Sequence, residues 1–394
     1  MKLAHLSMMK TKISKDMSNR EKIQKEALEI TLGHRRCGLG ISMGVGKTRI
    51  ALQHFIKNYH PVCRYLVVVP KNAVIDSWND EMDKMVDQFK DLSDENYEID
   101  LEVIKQQIQF VNYRSINKLD PTHYNVVYLD ECHNLLFSHE EFLKNYNGKV
   151  LGLTGTPPSK GSEKYTMVQK YCPIVYEFSV DEATDSNILN DYKIIIHLLE
   201  LSNGQNLQKK NKNGGVWYTS EVKDYAYLNR RWQEAMTGKQ QQMAAIMRMR
   251  GLMEYSTKED YLKDILKDIS SKCIIFANTH KQADRVCSHS YHSGNSKSED
   301  NLELFSDGRI DKLSCVLQLS EGISIPNLRQ GIIMHAYGNN RKTAQRIGRL
   351  LRLAPDQKAT CHILCYKGTQ DEKWVEKALE TFDQNKIEYF NPLI

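Results

Sequence analysis

Two short stretches carry residue types that could do chemistry together. "MGVGKT", residues 43–48, sets Gly44 and Gly46 around Val45 and follows them with Lys47, Thr48 and Arg49. Glycines at 44 and 46 free the backbone to turn its N–H groups toward phosphate oxygens. Lys47 can reach the β and γ oxygens, and the Thr48 hydroxyl can hold Mg²⁺. The second stretch, "VVYLDECHN" at 126–134, is an apolar run that ends in two acids. A carboxylate at the C-terminal end of a strand is where a Mg²⁺-bound nucleotide sits in an open parallel sheet. Asp130 would complete the metal shell, largely through water, and Glu131 would polarise the attacking water. One position is out of pattern. The loop G-x-x-x-x-G-K-[ST] asks for glycine at 41, and the chain has Ile41 there, with Gly40 one place early. Either the match is accidental or the loop is a relaxed variant.

The elements that would position these residues can be read from the apolar rhythm. "SNREKIQKEALEITL" reads as a capped amphipathic helix, and "CGLGIS", "YLVVVP", "IQFVNY", "NVVYLDE" and "KVLGLTGT" are short buried runs alternating with helical segments. The loop lies between such a run and the helical "KTRIALQHFIKN", the setting a phosphate loop requires. After about residue 185 the texture changes to "YKIIIHLLEL", a polar stretch, and a helix-prone region from Ser220 to Ser270. Strand candidates return with "KCIIFAN", "LSCVLQL", "QGIIMHA" and "TCHILCY". The expected fold is α/β: two parallel-sheet domains with helices on both faces, in tandem, with a helical segment at about 203–270. The boundaries are a flexible arm at 1–18, a first domain at 19–185 and a second at 186–394. "QKKNKNGG" is read as a solvated hairpin tip.

A chain of 394 residues with 41% hydrophobic and 26% charged residues is that of an ordinary globular protein, which excludes fibrous and disordered classes. Its net charge of +5 is compatible with a polyanionic partner without requiring one. No apolar run approaches the roughly 20 residues a bilayer span needs, and the lysine- and serine-containing start lacks a signal-peptide core. The expectation is an intracellular, cytoplasmic protein. Nine scattered cysteines without a C-x-x-C pair fit free thiols. Cys361, Ile363 and Cys365 share one face of a strand and read as core, and His289 and His292 are read likewise as packing and not as metal ligands.

Taken in order, "MGVGKT", "DECH", "LTGTP" and "QRIGRLLR" resemble the motifs of superfamily 2 helicases and translocases. The resemblance spans nearly the whole chain and implies two RecA-like domains acting on nucleic acid with ATP and Mg²⁺. It also makes Ile41 a tolerated variant, since the first loop position is often not glycine there. The first half, with "VVVPKNAVIDSWNDE", "FVNYRS" and "LTGTPP", most resembles Snf2-like and phage recombination helicases, which implies DNA as the track. The implied setting is replication, recombination or repair, in a host bacterial cytoplasm if phage-encoded, with a monomeric motor and possible protein partners. Gln24 stands where the family has a glutamine that reads adenine, and an amide can pair with N6 and N7 of that base at once. "LSEGISIPNL" is similar to the block that touches nucleotide and strand, placing Glu321 and Gly322 at the nucleotide, although Ser324 replaces the usual aspartate.

In "QRIGRLLR" the residues Gln345, Arg349 and Arg352 share one helix face, which in the family points at the γ-phosphate. A rigid, always-charged guanidinium suits a transferring phosphoryl group. Arg349→Ala and Arg352→Ala are therefore expected to lower turnover, by as much as about 10³, far more than they lower ATP affinity. Steady-state hydrolysis beside nucleotide binding checks this. Softer assignments make Lys71, Asn72, Tyr113 and Arg114 in the first domain, and Asn278 and Thr279 in the second, contacts to the nucleic-acid backbone. The alternatives are an RNA helicase, or a slow nucleotide-dependent switch that clamps nucleic acid.

Overall fold

A computed structural model describes residues 17–90, 100–211, 213–316, 325–336, 343, 346–348, 350, 357–380 and 382–392. These residues form two compact units that part between Leu189 and Asn190.

The first unit opens with helix α1 (Asn19–Leu32). Ser18 caps it: its Oγ accepts from the Glu21 N–H at 3.3 Å while Glu21 Oε2 accepts from the Ser18 N–H at 2.8 Å. This reciprocal pair satisfies two donors that every helix start leaves open. Gln24, Ala27, Leu28 and Thr31 then recur at helical spacing and form the buried face. The strands are β1 (Arg36–Ile41), β2 (Tyr65–Val69), β3 (Ile108–Asn112), β4 (Val126–Asp130), β5 (Lys149–Thr154) and β6 (Ile174–Phe178), in sheet order β3-β2-β4-β5-β1-β6. Every pairing is parallel. β2 and β4 are buried along their whole length, which is why they appear in the sequence as unbroken apolar runs. Helices α2 (Lys47–Lys57) and α3 (Ala73–Lys84) follow β1 and β2. Because β5 lies between β1 and β4, the residues after these three strands come out side by side on one end of the sheet.

The second unit begins with β7 (Asp191–Leu199), followed by a two-stranded antiparallel hairpin, β8 (Leu207–Lys210) with β9 (Val216–Thr219). Of the polar "QKKNKNGG" stretch, residues 208–210 lie in β8, and the described residues 211 and 213–215 lie between it and β9. Three helices follow, α4 (Glu221–Gln233), α5 (Gly238–Glu254) and α6 (Thr257–Asp268). The unit's main sheet contains β7, β10 (Cys273–Ala277), β11 (Ser290–Tyr291), β12 (Lys312–Val316), β13 (Gln330–Ile333), β14 (Lys358–Tyr366) and β15 (Ile387–Phe390), in the order β11-β12-β10-β13-β14-β7-β15. It is parallel throughout. Helix α7 (His280–Val286) follows β10. Cys361 and Cys365 lie buried in β14 as core, and buried His292 meets Asp284 at 2.9 Å. Among the described residues no helix is long and apolar enough to cross a membrane.

Candidate active site

The phosphate loop leaves β1 after Ile41. That residue is still in the sheet, paired with Phe178 and fully buried, and it has no left-handed backbone that would call for glycine. The missing glycine is thereby explained: the strand runs one residue further before the turn. The turn itself needs Gly44 (φ 88°) and Gly46 (φ 105°), both in the left-handed region that other residues adopt only at a cost. Gly46 is also the cap of α2, so Lys47 and Thr48 open the helix with its positive dipole end facing the loop.

Gly46 has a second constraint. A Cβ there would lie 2.4 Å from Gln24 Nε2, because the buried Gln24 amide reaches across to donate to the Val45 carbonyl at 2.7 Å. α1 is thus tied to the loop. The bond uses one of the two amide N–H groups, so the second N–H and Oε1 are still available for the two-point pairing with adenine expected of Gln24. Gln24 lines a cavity of about 240 Å³ together with Glu21, Leu28, Arg49 and Gln53. Arg49 is held there by an ion pair to Glu81 at 3.0 Å.

β4 delivers the two acids. Asp130 is buried, and each of its carboxylate oxygens already accepts one hydrogen bond. Oδ1 takes the Glu131 N–H at 2.9 Å, and Oδ2 takes the Trp78 indole N–H at 3.0 Å. Glu131 sits in a left-handed backbone conformation (φ 48°, ψ 55°), unusual for a residue with a side chain. Its Oε2 lies 3.3 Å from His133 Nδ1, but that nitrogen is committed more closely to Thr154 Oγ1 at 2.8 Å. The longer contact lacks hydrogen-bond geometry, so Oε2 is a buried acceptor left open. Burial and then the adjacent Glu131 charge push the Asp130 carboxyl above its usual range. Burial works in the same direction on Glu131, but the Lys47 charge and His133 outweigh it and hold that carboxyl low. Two neighbouring acids are thereby split, the outer one kept ionised.

β5 supplies the floor. A Cβ on Gly155 would come 3.1 Å from Lys47 Nζ, so the glycine after Thr154 leaves room for the ammonium group. Among the described residues no group of three or more His, Cys, Asp or Glu side chains could enclose a metal. Mg²⁺ keeps waters and substrate phosphates in its shell and takes one or two protein ligands. Thr48 in the first turn of α2 and Asp130 at the end of β4 are residues of the kind this requires. Chemically, the arrangement can cradle phosphates, hold a hydrated cation and orient a water.

The other expected site residues divide into three groups. Lys71, Asn72 and Arg114 are exposed beyond the C-terminal ends of β2 and β3, with Asn72 Oδ1 accepting from Asn112 Nδ2 at 2.7 Å. Tyr113 is a correction. It is 5% exposed and its hydroxyl donates to the Asp130 carbonyl at 2.8 Å, so it supports β4 from below and is not a nucleic-acid contact. Asn278 is half-buried at the end of β10, and both polar atoms of its amide are without a hydrogen-bond partner among the described residues. Thr279 is exposed and caps α7 through the Gln282 N–H at 3.1 Å. Glu321, Gly322, Ser324, Gln345, Arg349 and Arg352 lie outside the described residues. Trp78, His133 and Thr154 were not assigned from the sequence, although "W-x-x-E", "DECH" and "LTGTP" contain them.

Known proteins share these features. Residues 17–159 match the family described as the res subunit of type III restriction enzymes, and 257–354 match the helicase conserved C-terminal domain. The DNA 3'-5' translocase XPB2 of Sulfurisphaera tokodaii is 25% identical over 379 residues, covering 91% of this chain and 84% of the relative. Among solved structures, the ATP-dependent Type ISP restriction-modification enzyme LlaBIII bound to DNA superposes with a TM-score of 0.60 at 14% identity. The match covers 96% of this chain and spans only 31% of that much longer one. A fragment described as an HsdR subunit of a type I restriction enzyme from Vibrio vulnificus gives a TM-score of 0.57 at 14% identity, with 94% of this chain and 67% of that one covered. With both domain matches in one chain, in the order the motifs require, and with two parallel sheets of the kind tandem RecA-like domains have, the chain belongs to the superfamily 2 helicases, enzymes that hydrolyse ATP.

Proposed function

We propose that this chain is an ATP-driven DNA translocase or helicase that moves on or remodels branched DNA in replication, recombination or repair. In this reading Gln24, Gly44, Val45, Gly46, Lys47, Thr48 and Arg49 hold ATP, and Thr48 and Asp130 hold Mg²⁺. Glu131 accepts a proton from the water that attacks the γ-phosphate, and Lys47 neutralises the charge that grows on the phosphate oxygens. The bound nucleotide supplies the phosphoanhydride, and the chain contributes position and electrostatics.

The observation that carries the choice of track is the exposure of Lys71, Asn72 and Arg114 on the same end of the first sheet as Lys47 and Glu131. Donors at adjacent strand ends can follow a phosphate backbone without reading bases. The relative named as a DNA translocase supports DNA over RNA. The expected result is ATPase stimulated more by DNA than by RNA of equal length, most by forked or four-way DNA, with binding that weakens steeply as salt rises and has little base preference. Hydrolysis measured without nucleic acid and with single-stranded, duplex and forked DNA and RNA checks it. Stimulation by RNA equal to or above every DNA would transfer the assignment to an RNA helicase, and slow turnover indifferent to all of them would favour a nucleotide-dependent switch.

A further inference from the structure

We infer that Trp78 is a positioning residue for the metal-holding carboxylate, and that it acts through its indole N–H and not only through its bulk. The inference rests on the reading of Asp130 as the Mg²⁺ residue. Helix α3 presents Trp78 and Glu81, three residues apart, on one face, and each reaches a different part of the nucleotide site. Glu81 holds Arg49 at 3.0 Å, and Trp78 Nε1 donates to Asp130 Oδ2 at 3.0 Å.

Indole has a single polar atom, a donor, and a buried tryptophan without an acceptor leaves it unpaired. Trp78 is 1% exposed and packs against Phe110 and Tyr128, each with its ring centroid 6.3 Å away, so the core holds its N–H direction. Asp130 is the last residue of β4, its backbone still paired with Leu153 of β5, and a strand ladder fixes backbone but not the rotation of a carboxylate. The Glu131 N–H on Oδ1 alone would let the carboxylate plane rotate about that bond. The indole on Oδ2 supplies a second fixed point, so both remaining lone pairs keep one orientation. Tyr113 restrains the backbone of the same residue through its carbonyl. Three separate segments therefore hold one acid. An acid whose work is to accept hydrogen bonds from metal-bound water needs such restraint, because orienting partners of this kind tune metal affinity.

The test is Trp78→Phe, which keeps an aromatic ring and removes the N–H. Mn²⁺, in place of Mg²⁺, is titrated into protein holding a non-hydrolysable ATP analogue and followed by electron paramagnetic resonance. Nucleotide binding in EDTA is measured in parallel. Metal affinity is expected to fall about tenfold or more while metal-free nucleotide binding and the melting temperature change little. Phe110→Leu disturbs the same packing but keeps the N–H, and should lower the melting temperature and leave metal affinity unchanged. An unaltered metal affinity in Trp78→Phe overturns the proposal, as does an equal loss of metal affinity in Phe110→Leu. If Trp78→Phe does not fold, the wild type still decides: of the four tryptophans, one ¹⁵N-indole signal should broaden away when Mn²⁺ and nucleotide are bound. Tight Mn²⁺ binding with no broadened indole overturns the positioning role. Absence of any Mn²⁺ bound with nucleotide to the wild type would instead overturn the reading of Asp130.

Discussion

Glu131→Gln protein is expected to bind ATP with near-normal affinity and to turn it over about 10²–10⁴-fold more slowly, the usual worth of a positioned general base. The substitution keeps the length and shape of the side chain and removes its ability to take a proton. Two features of the site sharpen this expectation. The backbone at 131 is held left-handed, at φ 48°, a costly conformation that fixes where the Cα–Cβ bond points. One carboxylate oxygen is also buried and uncommitted, which reserves it for a group the protein does not supply. An acid kept ionised by the Lys47 charge is a usable base at neutral pH, and an amide in its place is not. DNA held in the ATP state should dissociate more slowly from this variant, because the state that hydrolysis would end persists. Single-turnover hydrolysis beside equilibrium nucleotide binding checks the claim, and normal turnover by the glutamine variant would remove Glu131 from the chemistry.

Lys47→Ala should fail differently, losing binding and turnover together. The ammonium group is a full positive charge at the start of α2, it lies against Gly155, and its charge acts on both Asp130 and Glu131. Removing it leaves Asp130 and Glu131 facing the nucleotide's negative charge without compensation. The loss in turnover should reach at least the roughly 10²–10³ that follows removal of a single transition-state donor. Weakened ATP binding comes in addition, which separates this variant from Glu131→Gln in a titration with labelled nucleotide.

Much of the first sheet could be read from the sequence because its central strands are buried on both faces and carry no interruptions. "YLVVV" and "VVYLD" are entirely buried in the structure. Two edge strands, β6 and β15, escaped, although the edge strand β3 did not. "IVYEF" in β6 is mostly half exposed and "IEYF" in β15 largely exposed, and a strand that covers only part of one face has no apolar run to announce it. The phosphate loop was legible down to its odd residue, because Ile41 is strange only if the turn is counted from position 41 and ordinary once the strand is seen to include it. Tyr113 was misplaced for a different reason. "NYRS" has the composition of a solvated turn, but the 3₁₀ segment Tyr113–Lys118 rotates its first side chain inward and its third residue on, Ile116, also into the core. The bond from Trp78 to Asp130 joins positions 52 apart in the chain. Spacing along a sequence has no means of showing such a pair, even where each partner lies inside a recognised motif.

The order of strands in the second sheet sets the order in which the chain can become structured. In the first unit the sheet is complete once Phe178 has been added, so that half has all its strand partners while the rest is still being synthesised. β7 follows almost at once, yet its neighbours are β14 and β15, and its pairing begins with Asp191 against Lys358. For the whole interval between them this strand, with Ile194, Ile196 and Leu199 destined for full burial, has no ladder to join. Contacts so distant along the chain are slow to close. On the ribosome, β7 is accordingly the strand whose backbone and apolar face wait longest for cover, and the segment most open to pairing with the wrong chain.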